Sequence, residues 1–220
     1  MLRHASLQDA RQRLDRRGHQ TYPFIPITRA RIKMNYYETA KEVHANSVAK
    51  GFWDKKLSDE HCFMLVITEL TEAVEAHRIG RTASIPENIE SFPDKAFIPS
   101  FKSYIKDTVG DELADTAIRL LDIYGHLIVE DSKTIDIAKD VDENYKLLIG
   151  FDDRSFVEWI YETVRYMCES IDLYPSIDKV YEGLCRLRNI AERLGIDLER
   201  HIRLKMRYNA TRPQLHGKKY

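Results

Sequence analysis

Cysteine is scarce: the 220 residues include three, Cys62, Cys168 and Cys185. They are odd in number, far apart and form no C-x-x-C pair. Structural zinc and a disulfide framework are therefore both disfavoured, and a reducing compartment is the natural home. Each sits in an apolar, helix-like run, where a buried, inert thiol is expected. Long apolar runs are missing too. Nothing approaches the roughly 20 residues that span a bilayer, and the charged stretch from Arg3 to Arg17 holds no apolar segment resembling a secretion signal. The expectation is a soluble, cytoplasmic protein without a membrane partner. A surplus of one charge is also lacking. A net charge of −1 leaves no basic excess for general nucleic-acid binding. Strand signals are poor throughout and no internal repeat occurs, so the fold class expected is all-α.

What is present fits that class. Hydrophobic residues make up 43% and charged residues 31%, ordinary for a soluble, helix-rich chain. The length allows one domain over 1–220, with a helical core over 30–130 and further helices and a basic tail over 131–220. Ser6 to Arg17 has the spacing of a short amphipathic helix, followed by a proline-bounded linker from Tyr22 to Pro26. Helical periodicity returns from Ile32 to Ala49, and Gly51 stops it before Phe52 and Trp53. Ser58 is a candidate cap for a helix over 59–79, whose stripe runs through Phe63, Leu70, Ala73 and Val74. Arg81 to Ser100, with Pro86, Pro93 and Pro99, reads as a long loop, either a lid or a surface insertion. A helix follows from Phe101 or Lys106 to Leu127, with Gly110 as a kink or a true start. A short helix is expected around Ile135 to Leu148. Later helices are expected over Ser155 to Ile171, Ile177 to Leu194 and Leu198 to Asn209, with Ser155, Ser176 and Asp197 as caps.

Two acidic stretches organise the rest. Glu69 and Glu72 are three residues apart, as are Glu112 and Asp115. One helical turn separates the members of each pair, so each pair shares a face. Both flank an apolar stripe. A solvated face would show a cation four residues after each acid. Ala73, Ala76 and Thr116 stand there instead, and only Asp115 has such a partner, Arg119. Four facing carboxylates repel one another unless a cation sits among them, and oxygen ligands suit magnesium. Glu75 lies one turn beyond Glu72, where it either reaches the same site or faces solvent.

The segments Lys50-Gly51-Phe52-Trp53-Asp54, Glu69 to Ala76 and Asp111 to Arg119 resemble the MazG-like family of all-α nucleoside triphosphate pyrophosphohydrolases. The tail from Lys205 to Pro213, with His216-Gly217-Lys218-Lys219, is similar as well. The resemblance covers roughly Tyr36 to Leu127 and the tail. The insert over 81–106 and the region 131–195 depart from it. It implies a helical bundle of the all-α pyrophosphohydrolase type with extra C-terminal helices, assembled as a homodimer or homotetramer. It implies that Glu69, Glu72, Glu112 and Asp115 hold magnesium, with manganese as the alternative, over a nucleoside triphosphate. Water would attack the α-phosphorus to give a monophosphate and pyrophosphate. Glu72 or Glu69 is the candidate for the proton-accepting role. The tail offers Lys205, Arg212 and Lys218 to phosphates, and Asn209 to sugar or base. Phe52 and Trp53 either stack on a base or belong to the core.

Three other readings compete. One is a dUTP- or dCTP-specific pyrophosphatase of the same type. Another is a non-catalytic helical protein that binds nucleotides or partners. A di-iron bundle would need two Glu-x-x-His motifs, which are not found.

Overall fold

The computed structural model describes residues 34–130, 154–169 and 176–217, Ile137 and Val141, and the strand residues Arg13–Leu14 and Gln20–Thr21. The fold is all-α, as expected. Helix α1 spans Tyr36–Ala49, α2 Asp59–Arg78, α3 Asp94–Tyr104 and α4 Val109–Glu130. Helix α5 spans Phe156–Met167, α6 Ser176–Arg193 and α7 Leu198–Ala210. The caps follow the sequence. Ser58 accepts from the His61 amide, Asp197 accepts from the Arg200 amide, and Ser155 forms a reciprocal capping box with Glu158. Ser176 instead donates its hydroxyl to Asp59.

Helix α4 is the axis of the bundle. Its sequence is apolar over most of its circumference, so it must be covered on several sides. Helices α1, α2, α6 and α7 all pack on it, and Leu113, Ala117, Leu121 and Tyr124 are fully buried. Two glycines set the closest approaches. A Cβ on Gly125 would lie 2.4 Å from the Ala40 carbonyl oxygen of α1, and one on Gly110 would lie 2.4 Å from the His201 ring of α7. Gly110 therefore belongs to the first turn of α4, which begins at Val109. It marks a helix crossing, not a kink.

The proline-rich stretch from Arg81 to Ser100 is not a plain loop. It holds a 3-10 turn at Ile89–Ser91 and the start of α3, with Pro99 inside that helix. Distant packing overrides the proline signal. Phe97, Phe101, Ile105 and Ile89 form a second small core with Leu204 and Tyr208 of α7. Phe101 stacks on Tyr208 at 4.5 Å, and the Arg207 guanidinium lies 4.0 Å from the Phe97 ring centre. Arg200 pairs with Glu90 and Arg207 with Asp94, fastening the segment to α7.

Near the start of the chain, Arg13 and Leu14 pair antiparallel with Thr21 and Gln20, which replaces helix there with a two-residue ladder. The rest of the Ser6 to Arg17 helix and the Tyr22 to Pro26 linker lie outside the described residues. So does the helix expected around Ile135 to Leu148, apart from Ile137 and Val141, which are buried in the main core. Cys185 is buried and Cys62 half-buried, and burial pushes both thiols up to about 12. Cys168 departs from expectation: it is exposed, at the C-terminal end of α5. Among the described residues, no helix is long and apolar enough to cross a membrane.

Candidate metal centre and adjoining cavity

Helices α2 and α4 pack side by side, and their acidic faces meet. Ligand oxygens of Glu69, Glu112 and Asp115 all lie within 4.8 Å of one another. Glu69 and Glu112 are buried, while Asp115 is half-buried. Glu72 is exposed and stands outside that close set, although its charge reaches Glu112. Glu75 is exposed and pairs with Arg78 at 2.7 Å, away from the cluster.

The cations that compensate these acids come from across the fold. Arg119 gives its Nε and Nη2 to Glu69 Oε1, each at 3.2 Å. Its local neighbour Asp115 is instead paired with Lys205 of α7 at 2.7 Å, and Lys205 reaches Asp111 at the same distance. The expectation that Glu69 lacks a cation, and that Asp115 has Arg119, is thereby corrected. Helical spacing counts only neighbours on one helix, and these pairs join different turns through packing.

The balance is still incomplete. Glu69, Asp111, Glu112 and Asp115 face two cations, Arg119 and Lys205. Glu112 has no ion pair among the described residues. Burial, then the charges of Asp111 and Asp115, push its carboxyl up to about 8. Burial also raises Asp111, against the pull of Lys205, and its Oδ1 is buried without a hydrogen-bond partner. Burial opposes the charge on Lys205, but Asp115 and Asp111 outweigh it and hold the amine above the ordinary lysine range. If Glu112 gives up its proton, two carboxylates stand unmatched, the charge of one divalent cation, and oxygen-only donors suit magnesium or manganese.

A cavity of about 530 Å³ opens beside the cluster, with Glu69 and Asp115 on its wall. Arg119, Arg203 and Arg212 bring positive charge to it, Arg207 lines it with its guanidinium paired to Asp94, and Asn209 and Phe52 also line it. Lys205 does not line this cavity, since its amine is taken by two carboxylates. The stretch from Ala210 to His216 folds back against Lys50 and brings Arg212 and His216 to the cavity wall. Lys50 donates to the carbonyls of Ala210 and Arg212 and accepts from the Leu215 amide. Arg212 in turn reaches Asn209 Oδ1 and the His216 carbonyl. Burial, with Arg212 and Arg119 nearby, lowers His216 to about 4, so the ring beside Phe52 is neutral.

Phe52 and Trp53 part company. Phe52 is on the cavity wall. Trp53 stacks on His126 at 4.2 Å, meets His44 edge-on and donates to Asp122, so its ring is engaged within the protein. Lys218 lies outside the described residues. Sequence reasoning passed over Arg203, Arg207 and Asp122 as site residues. For Asp122 a signal was available: it follows Asp115 by two helical turns on one face of α4.

The fold and site define an all-α bundle with a carboxylate cluster on the wall of a charged cavity. Comparison with protein-family models, with curated proteins and with solved structures finds no match for the chain.

Proposed function

We propose that the protein is a magnesium-dependent nucleoside triphosphate pyrophosphohydrolase of the MazG-like type, cleaving (deoxy)nucleoside triphosphates to monophosphates and pyrophosphate. The observation that carries this reading is the convergence of Glu69, Glu112 and Asp115 within 4.8 Å on the flank of an arginine-lined cavity. Glu112 has no ion pair among the described residues, and an ion bound there would take the place of the proton that burial favours.

In this reading Glu69, Glu112 and Asp115 hold the ion, with Glu72 on the open side. When bound, such an ion lowers the pKa of water and neutralises charge on phosphoryl oxygens. The chain supplies the remainder. Arg119, Arg203 and Arg212 offer donors to a polyphosphate. Asn209, fixed by Arg212, presents its amide to the sugar. Glu72 is exposed one turn beyond Glu69, placed to accept the proton of an attacking water. Phe52 supplies an apolar face for the base. Assembly as a dimer or tetramer belongs to the same proposal, and light scattering decides it.

The test is product analysis. Wild-type protein with magnesium and a panel of ribo- and deoxyribonucleoside triphosphates is followed by phosphorus NMR. Monophosphate and pyrophosphate support the reading. Diphosphate with inorganic phosphate, or no turnover of any nucleotide, overturns it.

A further inference from the structure

We infer that Asp122 reads the nucleobase and selects bases that carry an exocyclic amino group (adenine, cytosine or guanine) over uracil and thymine. This rests on the pyrophosphohydrolase reading and names the substrate class of the same cavity. Asp115 and Asp122 line that cavity together. They are seven residues apart on α4, almost two full turns, and so stand on one face roughly 10 Å apart along the axis. That is the reach from the α-phosphate of a nucleotide to the outer edge of its base. A triphosphate held at Asp115 therefore brings its base edge to Asp122, and Phe52 and Arg119 line the same cavity.

The Asp122 carboxylate is prepared for such a task. It is mostly buried, with 13% of its side chain exposed. His44 Nδ1 donates to Oδ1 at 2.8 Å. Trp53 Nε1 donates to both oxygens, to Oδ1 at 3.0 Å and to Oδ2 at 3.2 Å. His126, stacked on Trp53, and His44, edge-on to it, hold that indole in place. Oδ1 takes two donors, while Oδ2 shares only the Trp53 N–H and keeps further acceptor capacity. A carboxylate accepts hydrogen bonds and donates none. An amino group satisfies it. Uracil and thymine instead flank a single ring N–H with carbonyl oxygens, which a carboxylate repels. The aromatic pair His126 and Trp53 thus acts at one remove, as positioning residues for Asp122.

The test measures binding, so that it does not depend on turnover. Wild-type protein with magnesium is titrated with the non-hydrolysable α,β-imido deoxynucleoside triphosphates of adenine, cytosine, guanine and thymine. The amino-bearing analogues should bind at least about tenfold more tightly than the thymine analogue, the effect of one hydrogen bond to a charged group. In Asp122→Asn, Oδ1 still accepts from His44 and Trp53, while an amide N–H₂ replaces Oδ2 and gives up its share of the Trp53 hydrogen bond. The preference should collapse or reverse toward thymine, with thermal unfolding showing a folded variant. Equal wild-type binding of all four overturns the base assignment and leaves the pyrophosphohydrolase reading standing. A uniform loss across bases in Asp122→Asn assigns the residue to the fold alone and overturns it too. No binding of any nucleotide overturns both readings. If the variant does not fold, the wild-type comparison alone decides.

Discussion

The Lys205 ammonium lies 2.7 Å from the Asp115 carboxylate, and the same amine meets Asp111 at 2.7 Å. One cation from α7 thus serves two acids of α4. The lysine is 4% exposed and the Asp111 side chain 1%, so that pair is shielded from water, while Asp115 keeps an edge on the cavity. A buried pair gains little over apolar packing, but removing one member leaves a bare charge inside. Lys205→Met should therefore lower unfolding free energy by about 3–5 kcal/mol at neutral pH. Denaturant unfolding of the metal-free protein measures it. An unchanged midpoint would show that the pair carries no stability.

Magnesium binding should depend on pH through Glu112. Its folded pKa, about 8, lies above the ordinary 4.5. Between those values the metal-free fold holds a proton that the unfolded chain releases. Metal-free stability therefore falls as pH rises through that window. An ion must displace the same proton, so its affinity should rise by up to about tenfold per pH unit toward pH 8 and level off above. Calorimetric titration with magnesium at pH 6.5 and pH 8.5, in two buffers of different ionisation heat, reads both affinity and proton release. Equal affinity without proton release would contradict the assignment.

His201 should make the fold acid-sensitive. Burial lowers its pKa from 6.5 to about 4, with Asp197 pulling upward and Arg200 and Lys205 downward. The neutral ring lies against Gly110. A lowered folded value contributes stability that is present above pH 6.5 and lost as pH falls toward 4. Compared with His201→Gln, the wild-type protein should lose about 2–3 kcal/mol of its relative stability between pH 7 and pH 4.5. Urea midpoints of the two proteins across that range give the difference. A constant gap would show that the ring is not held neutral.

The helices and their caps were legible because they are local. Ser58, Ser155 and Asp197 act within three residues of themselves, and apolar stripes at helical spacing mark the buried faces. The acids Glu69, Glu112 and Asp115 were legible for the same reason, since their spacing places them beside a stripe. What escaped was set by distant residues. Pro86, Pro93 and Pro99 argue for a loop until Phe97 and Phe101 meet Leu204 and Tyr208. Lys205 resembled a phosphate ligand because a free lysine in a basic tail invites it, whereas folding gives it to Asp111 and Asp115. Arg119 sits four residues after Asp115 yet turns to Glu69 on another helix. Trp53 offered a stacking face in sequence, and His126 occupies it.

Pyrophosphate release should depend on an ion held by Glu112 and its neighbours. Glu112→Gln tests it most directly, because the amide copies the protonated carboxyl and breaks no ion pair. Pyrophosphate release is followed against magnesium concentration in wild type and variant, each shown to be folded by its unfolding transition. Wild-type release should depend on magnesium, and the folded variant should lose about a hundredfold or more of it. A Glu112→Gln protein that releases pyrophosphate at the wild-type rate, with the same magnesium dependence, would contradict it.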